Sequence, residues 1–250
     1  MAAGVRLAMW SGPRNISTAL MRSWENRPDT MVVDEPLYAH YLAETGIDHP
    51  GRDEVVEAGE TDWRVVVEGL LAPLPDGIRV FYQKQMAHHL LPGIGREWVG
   101  ELTNVMLIRD PREVVASYLR SRSQVTVDDI GLRQQTSLYA DLAAVGRVPL
   151  VIDAADFLTD PERYLRGLCD LVGVPFDERM LTWPSGSRDS DGLWAPHWYA
   201  AVRESTGFAP YQRREVSLSG QGERVAEECR PLYEELRARR WTGPSPRIAG

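Results

Sequence analysis

The stretch VRLAMWSGPRNISTALMRSW, from Val5 to Trp24, decides the fold. It starts as an apolar run, breaks at Ser11-Gly12-Pro13, and resumes with Ile16, Leu20 and Trp24 at four-residue spacing, the pattern of a strand, a tight loop and an amphipathic helix. A strand that feeds a helix through a glycine-containing loop builds an anion site, because unpaired backbone N–H groups and the positive end of the helix dipole both point into the loop. Arg14 adds a full positive charge there, and Ser17 and Thr18 add hydroxyl donors in the first helical turn. The loop does not match G-x-x-x-x-G-K-[ST], since no Gly-Lys pair precedes Ser17 or Thr18. The purely structural alternative is a plain turn at Gly12-Pro13, a solvated Arg14, and Ser17 and Thr18 as ordinary helix openers.

Strand and helix patterns then alternate. Met31 to Val33 is a β-prone run ended by Asp34-Glu35-Pro36, where proline forbids a further ladder bond. Glu54 to Leu71 reads as helix, Arg79 to Met86 as a third strand with a helix near His88 to Leu91, and Val105 to Ile108 as a fourth strand followed by a helix over Arg112 to Ser121. Asp128 to Ala144 is helical, Val148 to Ile152 is a fifth strand, Pro161 to Val172 a helix started by Asp160-Pro161-Glu162, and Glu223 to Arg240 a closing helix. The alternation predicts an α/β fold with a mostly parallel central sheet, helices on both faces, and ligands beyond the carboxyl ends of the strands. Those ends carry Arg14, Asp34 and Glu35, Lys84, Arg109, and Asp153 with Asp156.

Composition narrows the function. At 250 residues, with 43% hydrophobic and 26% charged residues, the chain is expected to form one domain over 1–250: a core over 5–182, a helical part over 183–240 and a frayed tail from Trp241. A net charge of −8 argues against nucleic acid, membrane surfaces and polyanionic substrates as partners, so any anion site must be a local cluster of basic residues. Cys169 and Cys229 have neither metal-ligand nor redox spacing and read as small buried hydrophobes. No signal h-region or membrane-length apolar run is visible, and the location expected is cytoplasmic.

A second segment, MLIRDPREVVASYLRSR from Met106 to Arg122, places Asp110 as a helix cap, Pro111 in the first turn and Glu113 as the partner of a capping-box-like arrangement. Arg109 at the strand end and Ser117 two turns along face one helix mouth, where a second anion can bind; the alternative pairs Arg109 with Asp110 or Glu113 and leaves Ser117 to packing.

Together the two segments resemble the sulfotransferases. GPRNIST is similar to their 5′-phosphosulfate loop, usually P-[KR]-S-G-T-T, and IRDPREVVASYLR to their 3′-phosphate motif; DAADFLTDPERYLRGLCDLVGVPFDERML, from Asp153 to Leu181, looks like the carboxyl-terminal part of many bacterial members. The likeness covers roughly residues 5 to 182. It implies a P-loop-like three-layer α/β fold and sulfuryl transfer from 3′-phosphoadenosine-5′-phosphosulfate (PAPS) to a hydroxyl or amine of a small-molecule acceptor, without metal and with adenosine 3′,5′-bisphosphate as product. By position Arg14, Asn15, Ser17, Thr18, Arg109 and Ser117 would bind the donor. Ile16 falls where the family usually has glycine, and a β-branched residue copies a glycine backbone only at a cost.

Arg14 and Lys84 are the candidates for charge stabilisation, and Glu35 stands where many relatives carry the general base. Asp34 with Glu35 in support, or His88, are the alternatives. The aromatic stretch from Asp191 to Phe208 reads as helix core, with a lid over the acceptor or adenine as the other reading, and Arg213 and Arg214 stand where the family returns a basic loop to the 3′-phosphate. Two rival functions remain: a Mg-ATP kinase with VVDE as its metal-binding strand, and a catalytically silent nucleotide-binding domain. The acceptor's identity and the oligomeric state, a homodimer included, are left open.

Overall fold

Leu7, Ala8, Met9 and Trp10 are all fully buried, so β1 (Val5–Ser11) carries apolar side chains on both faces, as the central strand of a doubly covered sheet must. The computed structural model describes residues 4–213 and 215–243. Around β1 lie β2 (Thr30–Asp34), β3 (Val80–Met86), β4 (Thr103–Ile108) and β5 (Leu150–Asp153), in the order β2-β3-β1-β4-β5. Every pairing is parallel. The chain leaves β1 toward one side of the sheet for β2 and β3 and crosses to the other for β4, so the loop after β1 sits at the point where the connections diverge, the usual ligand crevice of an open parallel sheet.

The helices are α1 (Ser17–Glu25), α2 (Tyr38–Thr45), α3 (Arg52–Ala58), α4 (Trp63–Leu71), α5 (Pro111–Tyr118), α6 (Val127–Ile130), α7 (Leu132–Ala144), α8 (Ala154–Thr159), α9 (Pro161–Leu171), α10 (Ala195–Trp198), α11 (Ala200–Glu204) and α12 (Gly220–Arg237). Strand side chains alternate between faces. Leu7, Met9, Val105 and Leu107 pack with Leu20 and Trp24 of α1 and Leu165 and Leu168 of α9. Ala8, Trp10, Met106 and Ile108 pack on the opposite side with Leu70 of α4, Leu138 of α7 and Val225 of α12. A smaller third cluster joins Tyr38, Tyr41 and Leu42 of α2 to Trp194, Ala195 and Tyr199.

The alternating α/β order is the one expected, and the differences are local. The helix expected over 54–71 is two helices, α3 and α4, separated at Gly59–Asp62, where Gly59 abuts Ala39 and the Asp62 carboxylate caps α4 through Arg64 N. The helix expected over 128–144 breaks at Gly131, whose φ of 77° is left-handed. The helix near His88 is a single 3-10 turn, Ala87–His89. Asp153 opens a helix that the sequence did not suggest, α8, by accepting from Ala155 N. The tail is anchored where it begins: Trp241 N donates to Val151 O and its ring lies against Tyr164. Among the described residues no helix is long and apolar enough to cross a membrane.

The loop after β1 is clamped from the side. Gln135 of α7 donates from Nε2 to Trp10 O and Leu107 O, and Asn15 Nδ2 also donates to Leu107 O. Gly12 lies directly under the Ile130 carbonyl, and a Cβ on it would meet that oxygen at 2.1 Å. Backbone on both sides leaves nothing flexible to give way. Gly12→Ala is expected to destabilise the protein by about 2 kcal/mol or more, read as a lower midpoint in urea denaturation; an unchanged midpoint would mean that the loop is not held against α6.

Candidate active site

Two groups of side chains reach the carboxyl edge of the sheet, and both line one cavity of about 640 Å³. The first is cationic. Arg14, in the loop between β1 and α1, donates from Nε to Ser117 Oγ at 3.1 Å, and Arg120 donates from Nη2 to the same oxygen at 2.9 Å. Arg109 donates from Nη1 to Arg14 O at 3.2 Å and grips Glu113 Oε2 with Nε and Nη2. Asp110 caps α5 through Arg112 N. Glu113 does not complete the expected capping box, because its carboxylate is taken by Arg109 and by the Tyr211 hydroxyl, which donates to Oε1. Burial lowers the pKa of Arg14 from the ordinary guanidinium value, and the charges of Arg120 and Arg109 lower it further. Ser17 and Thr18 line the cavity at the start of α1, a helix that opens on Ile16 without a side-chain cap, and Asn15 Oδ1 accepts from Ile16 N.

Ile16 itself takes an ordinary backbone, φ −88° and ψ 14°. The left-handed residue of the loop is Arg14, with φ 55°, so the position where glycine was expected imposes no glycine geometry here.

The second group is a buried charge network. Lys84 and Asp34 are register partners on β3 and β2, and Lys84 Nζ donates to Asp34 Oδ1 at 2.8 Å, to Glu35 Oε1 at 2.6 Å and to the Tyr199 hydroxyl at 2.6 Å. All three ammonium hydrogens are thereby used. Tyr199 donates its hydroxyl hydrogen bond to Asp34 and accepts from Trp194 Nε1. Burial disfavours the Lys84 charge, but Asp34 and Glu35 outweigh it and hold the pKa well above the ordinary lysine value. Burial pushes the Glu35 carboxyl upward, with Lys84 opposing and Asp34 reinforcing the shift. Glu35 lines the cavity and Asp34 does not. The backbone of Glu35 is also left-handed, φ 44°, just before Pro36.

The same cavity is also lined by aromatic and imidazole side chains: Tyr38, His49, His88, His89, Trp198 and Tyr199. The His88 ring stands edge-on to His89 at 4.4 Å, and His89 packs against both Tyr38 and Tyr41 at 4.9 and 4.7 Å. Burial lowers His49 to about 4, aided by Arg122, and His88 to about 3, aided by His49 and Lys84; His89 is lowered well below the imidazole value for the same reasons. Of the other expected site residues, Asp153 instead caps α8 and accepts from the Tyr233 hydroxyl, Asp156 pairs with Arg240, Arg213 is exposed, and Arg214 lies outside the described residues.

A family described as a sulfotransferase domain matches residues 5–240, a span that takes in both groups. The chain belongs to the sulfotransferase family. Two curated relatives from Arabidopsis thaliana are branched-chain-amino-acid aminotransferase-like proteins 2 and 1, 37% identical over 228 residues and 39% identical over 230 residues. The aligned regions cover 91% and 92% of this chain but 40% and 41% of those proteins, so this sulfotransferase-family chain spans about two fifths of their length. Among solved structures, the sulfotransferase domain of the curacin biosynthetic pathway superposes with a TM-score of 0.54 at 16% identity, covering 91% of this chain and 97% of that one. The sulfotransferase domain of the Synechococcus PCC 7002 olefin synthase gives 0.50 at 15% identity, with 91% and 95% covered. At those identities the likeness is one of fold, a parallel sheet between helical layers of the P-loop-like type.

The sequence reading missed three residues of this candidate site in the sulfotransferase-family chain. Arg120 lies inside the quoted second segment, but a basic residue after a helix reads as solvated. Tyr199 and Trp194 lie in the aromatic stretch read as core; both are buried, yet the Tyr199 hydroxyl completes the Lys84 network. Only the aromatic composition of that stretch could have signalled them.

The neutral imidazoles give a pH test. An imidazole whose folded pKa lies below its unfolded value of about 6.5 stabilises the fold above that value and loses the contribution as pH falls toward the folded pKa. Stability should therefore decline on acidification from pH 6.5 toward pH 4, by up to about 1.4 kcal/mol per pH unit for each such histidine. Urea denaturation at stepped pH measures the slope, and His89→Asn should flatten it; an unaltered slope in that variant would mean that His89 titrates normally in the folded chain.

Proposed function

We propose that this chain transfers a sulfuryl group from PAPS to the hydroxyl or amine of a small-molecule acceptor. The observation that carries the reading is the joint lining of one cavity by the Arg14, Arg109 and Ser117 group and by Glu35. Ser117 supports the donor assignment: it accepts from two guanidinium groups, and its own hydroxyl hydrogen has no acceptor among the described residues, leaving it free to donate to an anion. Arg14, Asn15, Ser17 and Thr18 would hold the phosphosulfate end, and Arg109 and Ser117 the 3′-phosphate. The donor supplies an activated sulfuryl group on a phosphate anhydride.

Arg14 would offset charge on the departing phosphate, where fixed cations act most strongly on developing charge. Glu35 would take the acceptor's proton on Oε2, because Oε1 is engaged by Lys84. Lys84, with Asp34 and Tyr199 behind it, would keep that carboxylate ionised and aimed rather than touch the donor. The aromatic and imidazole wall would seat the acceptor. The buried free cysteines support a reducing, cytoplasmic setting, and the family match across 5–240 supports treating the chain as one catalytic domain.

Calorimetry tests the donor assignment. Metal-free adenosine 3′,5′-bisphosphate should bind, Mg-ATP should bind far more weakly, and Arg109→Ala should weaken the bisphosphate by about tenfold or more. Preference for Mg-ATP would overturn the reading in favour of a kinase, and binding of neither would favour a silent domain. Glu35 is tested separately: Glu35→Gln should retain bisphosphate binding and lose at least about a hundredfold in turnover. In the wild type the rate should rise with pH along a limb centred above the ordinary carboxylate value, since the base must be deprotonated and its pKa is raised. Comparable turnover in Glu35→Gln would remove Glu35 from the mechanism.

A further inference from the structure

We propose that Arg120 is a third anion-binding residue of the cradle and matches it to a doubly charged terminal phosphate group. The inference deepens the donor reading above and rests on it for the identity of the nucleotide alone.

The argument is one of uncompensated charge. Arg14, Arg109 and Arg120 converge on Ser117 and its loop, joined through two bonds to one hydroxyl oxygen and one bond to Arg14 O. Only Arg109 has a carboxylate partner, Glu113 at 2.7 Å; among the described residues neither Arg14 nor Arg120 lies within 4.0 Å of one. Three guanidinium groups and one carboxylate leave the cradle with a net charge of about +2. Like charges held this close repel, and water screens the half-buried Arg14 and Arg109 less than it screens the exposed Arg120. Elsewhere the chain pairs its arginines with acids freely, as Arg22 does with Asp191 and Arg112 with Glu223. Leaving two unpaired beside each other is a cost, and a bound dianion would remove it.

The position of Arg120 suits this role. It follows the last turn of α5 and lines the cavity as an exposed residue whose guanidinium is nevertheless held on Ser117 Oγ. Its hydrogen bond fixes the serine oxygen from one side while Arg14 fixes it from the other. A planar five-donor fork in this place can engage an anion's oxygens in pairs, which a lysine ammonium reproduces only as a point charge.

The test uses the full chain and three proteins: wild type, Arg120→Gln and Arg120→Lys. Thermal unfolding is followed in sodium phosphate against sodium chloride at matched ionic strength, and bisphosphate affinity is measured by calorimetry. We expect phosphate to raise the wild-type Tm above chloride, the gain to shrink in Arg120→Gln, and the bisphosphate to bind that variant about tenfold more weakly, with Arg120→Lys between the two. In phosphate-free, low-salt buffer Arg120→Gln should be at least as stable as wild type, because a repulsive charge has gone; this readout separates a binding role from a merely structural one. Equal phosphate gain and equal bisphosphate affinity in Arg120→Gln and wild type would overturn the proposal. So would a wild type that phosphate does not stabilise beyond chloride. If phosphate stabilises the protein through Arg120 but the bisphosphate does not bind, the anion cradle stands and the nucleotide reading falls.

Discussion

A lysine ammonium cannot be buried without a counter-charge, and Lys84 is buried with two. The desolvation of one ammonium and two carboxylates would cost several kcal/mol per ion if any stood alone. Each is tolerable only because the others are at hydrogen-bond distance. The cluster therefore fixes more than itself: it ties the end of β2 to the middle of β3 and draws the segment carrying Trp194 and Tyr199 down onto the sheet edge. That segment in turn supplies one wall of the cavity. The network counts two acids to one ammonium, and of its members Glu35, Lys84 and Tyr199 line the open space while Asp34 does not.

The Arg14 group inverts this balance. There cations outnumber acids, and the loop that presents them is held by backbone contact rather than by charge: Gly12 beneath the Ile130 carbonyl and Gln135 across two strand ends. A rigid, uncharged clamp beneath a repulsive cluster keeps the loop in place. The same cavity is also lined by imidazole rings whose protonation burial disfavours.

What was legible in the sequence was whatever is encoded locally. The strand, loop and helix of Val5 to Trp24, the Asp110-Pro111 start of α5 and the Asp160-Pro161 start of α9 are each written in a few adjacent residues, because caps, turns and periodicity act over one or two helical turns. The breaks at Gly59 and Gly131 were missed because a periodic apolar pattern outweighs one glycine until tertiary contacts, Ala39 and Gly12 respectively, demand the turn. The helix α8 was missed because Asp153 was read as a site acid and not as a cap. Arg14, Arg109, Lys84 and Glu35 were singled out by their places at or after strand ends, and Ser117 by its place two turns into the following helix. Tyr199, 115 residues from Lys84 in sequence, owes its position to packing that no local pattern records. Arg120 is held locally, on Ser117 three residues back, and only Arg14 on the same oxygen marks it as part of the site.

Two dihedral angles carry an evolutionary consequence. Arg14 and Glu35 are the only described residues other than glycine with positive φ, and each costs about 1 kcal/mol relative to glycine in the same place. Glycine at position 14 would relax the backbone and remove a repulsive charge, whereas at position 35 it would also strip the buried Lys84 of one of its two counter-charges. Arginine and glycine codons differ by as little as one base. A lineage that no longer needed the reaction would be expected to drift toward glycine at position 14 and to gain stability as it did so, while position 35 stays held by the buried ammonium. The residue at position 14 is thus a marker, readable in any related chain, of whether selection still holds the site against the preference of the backbone.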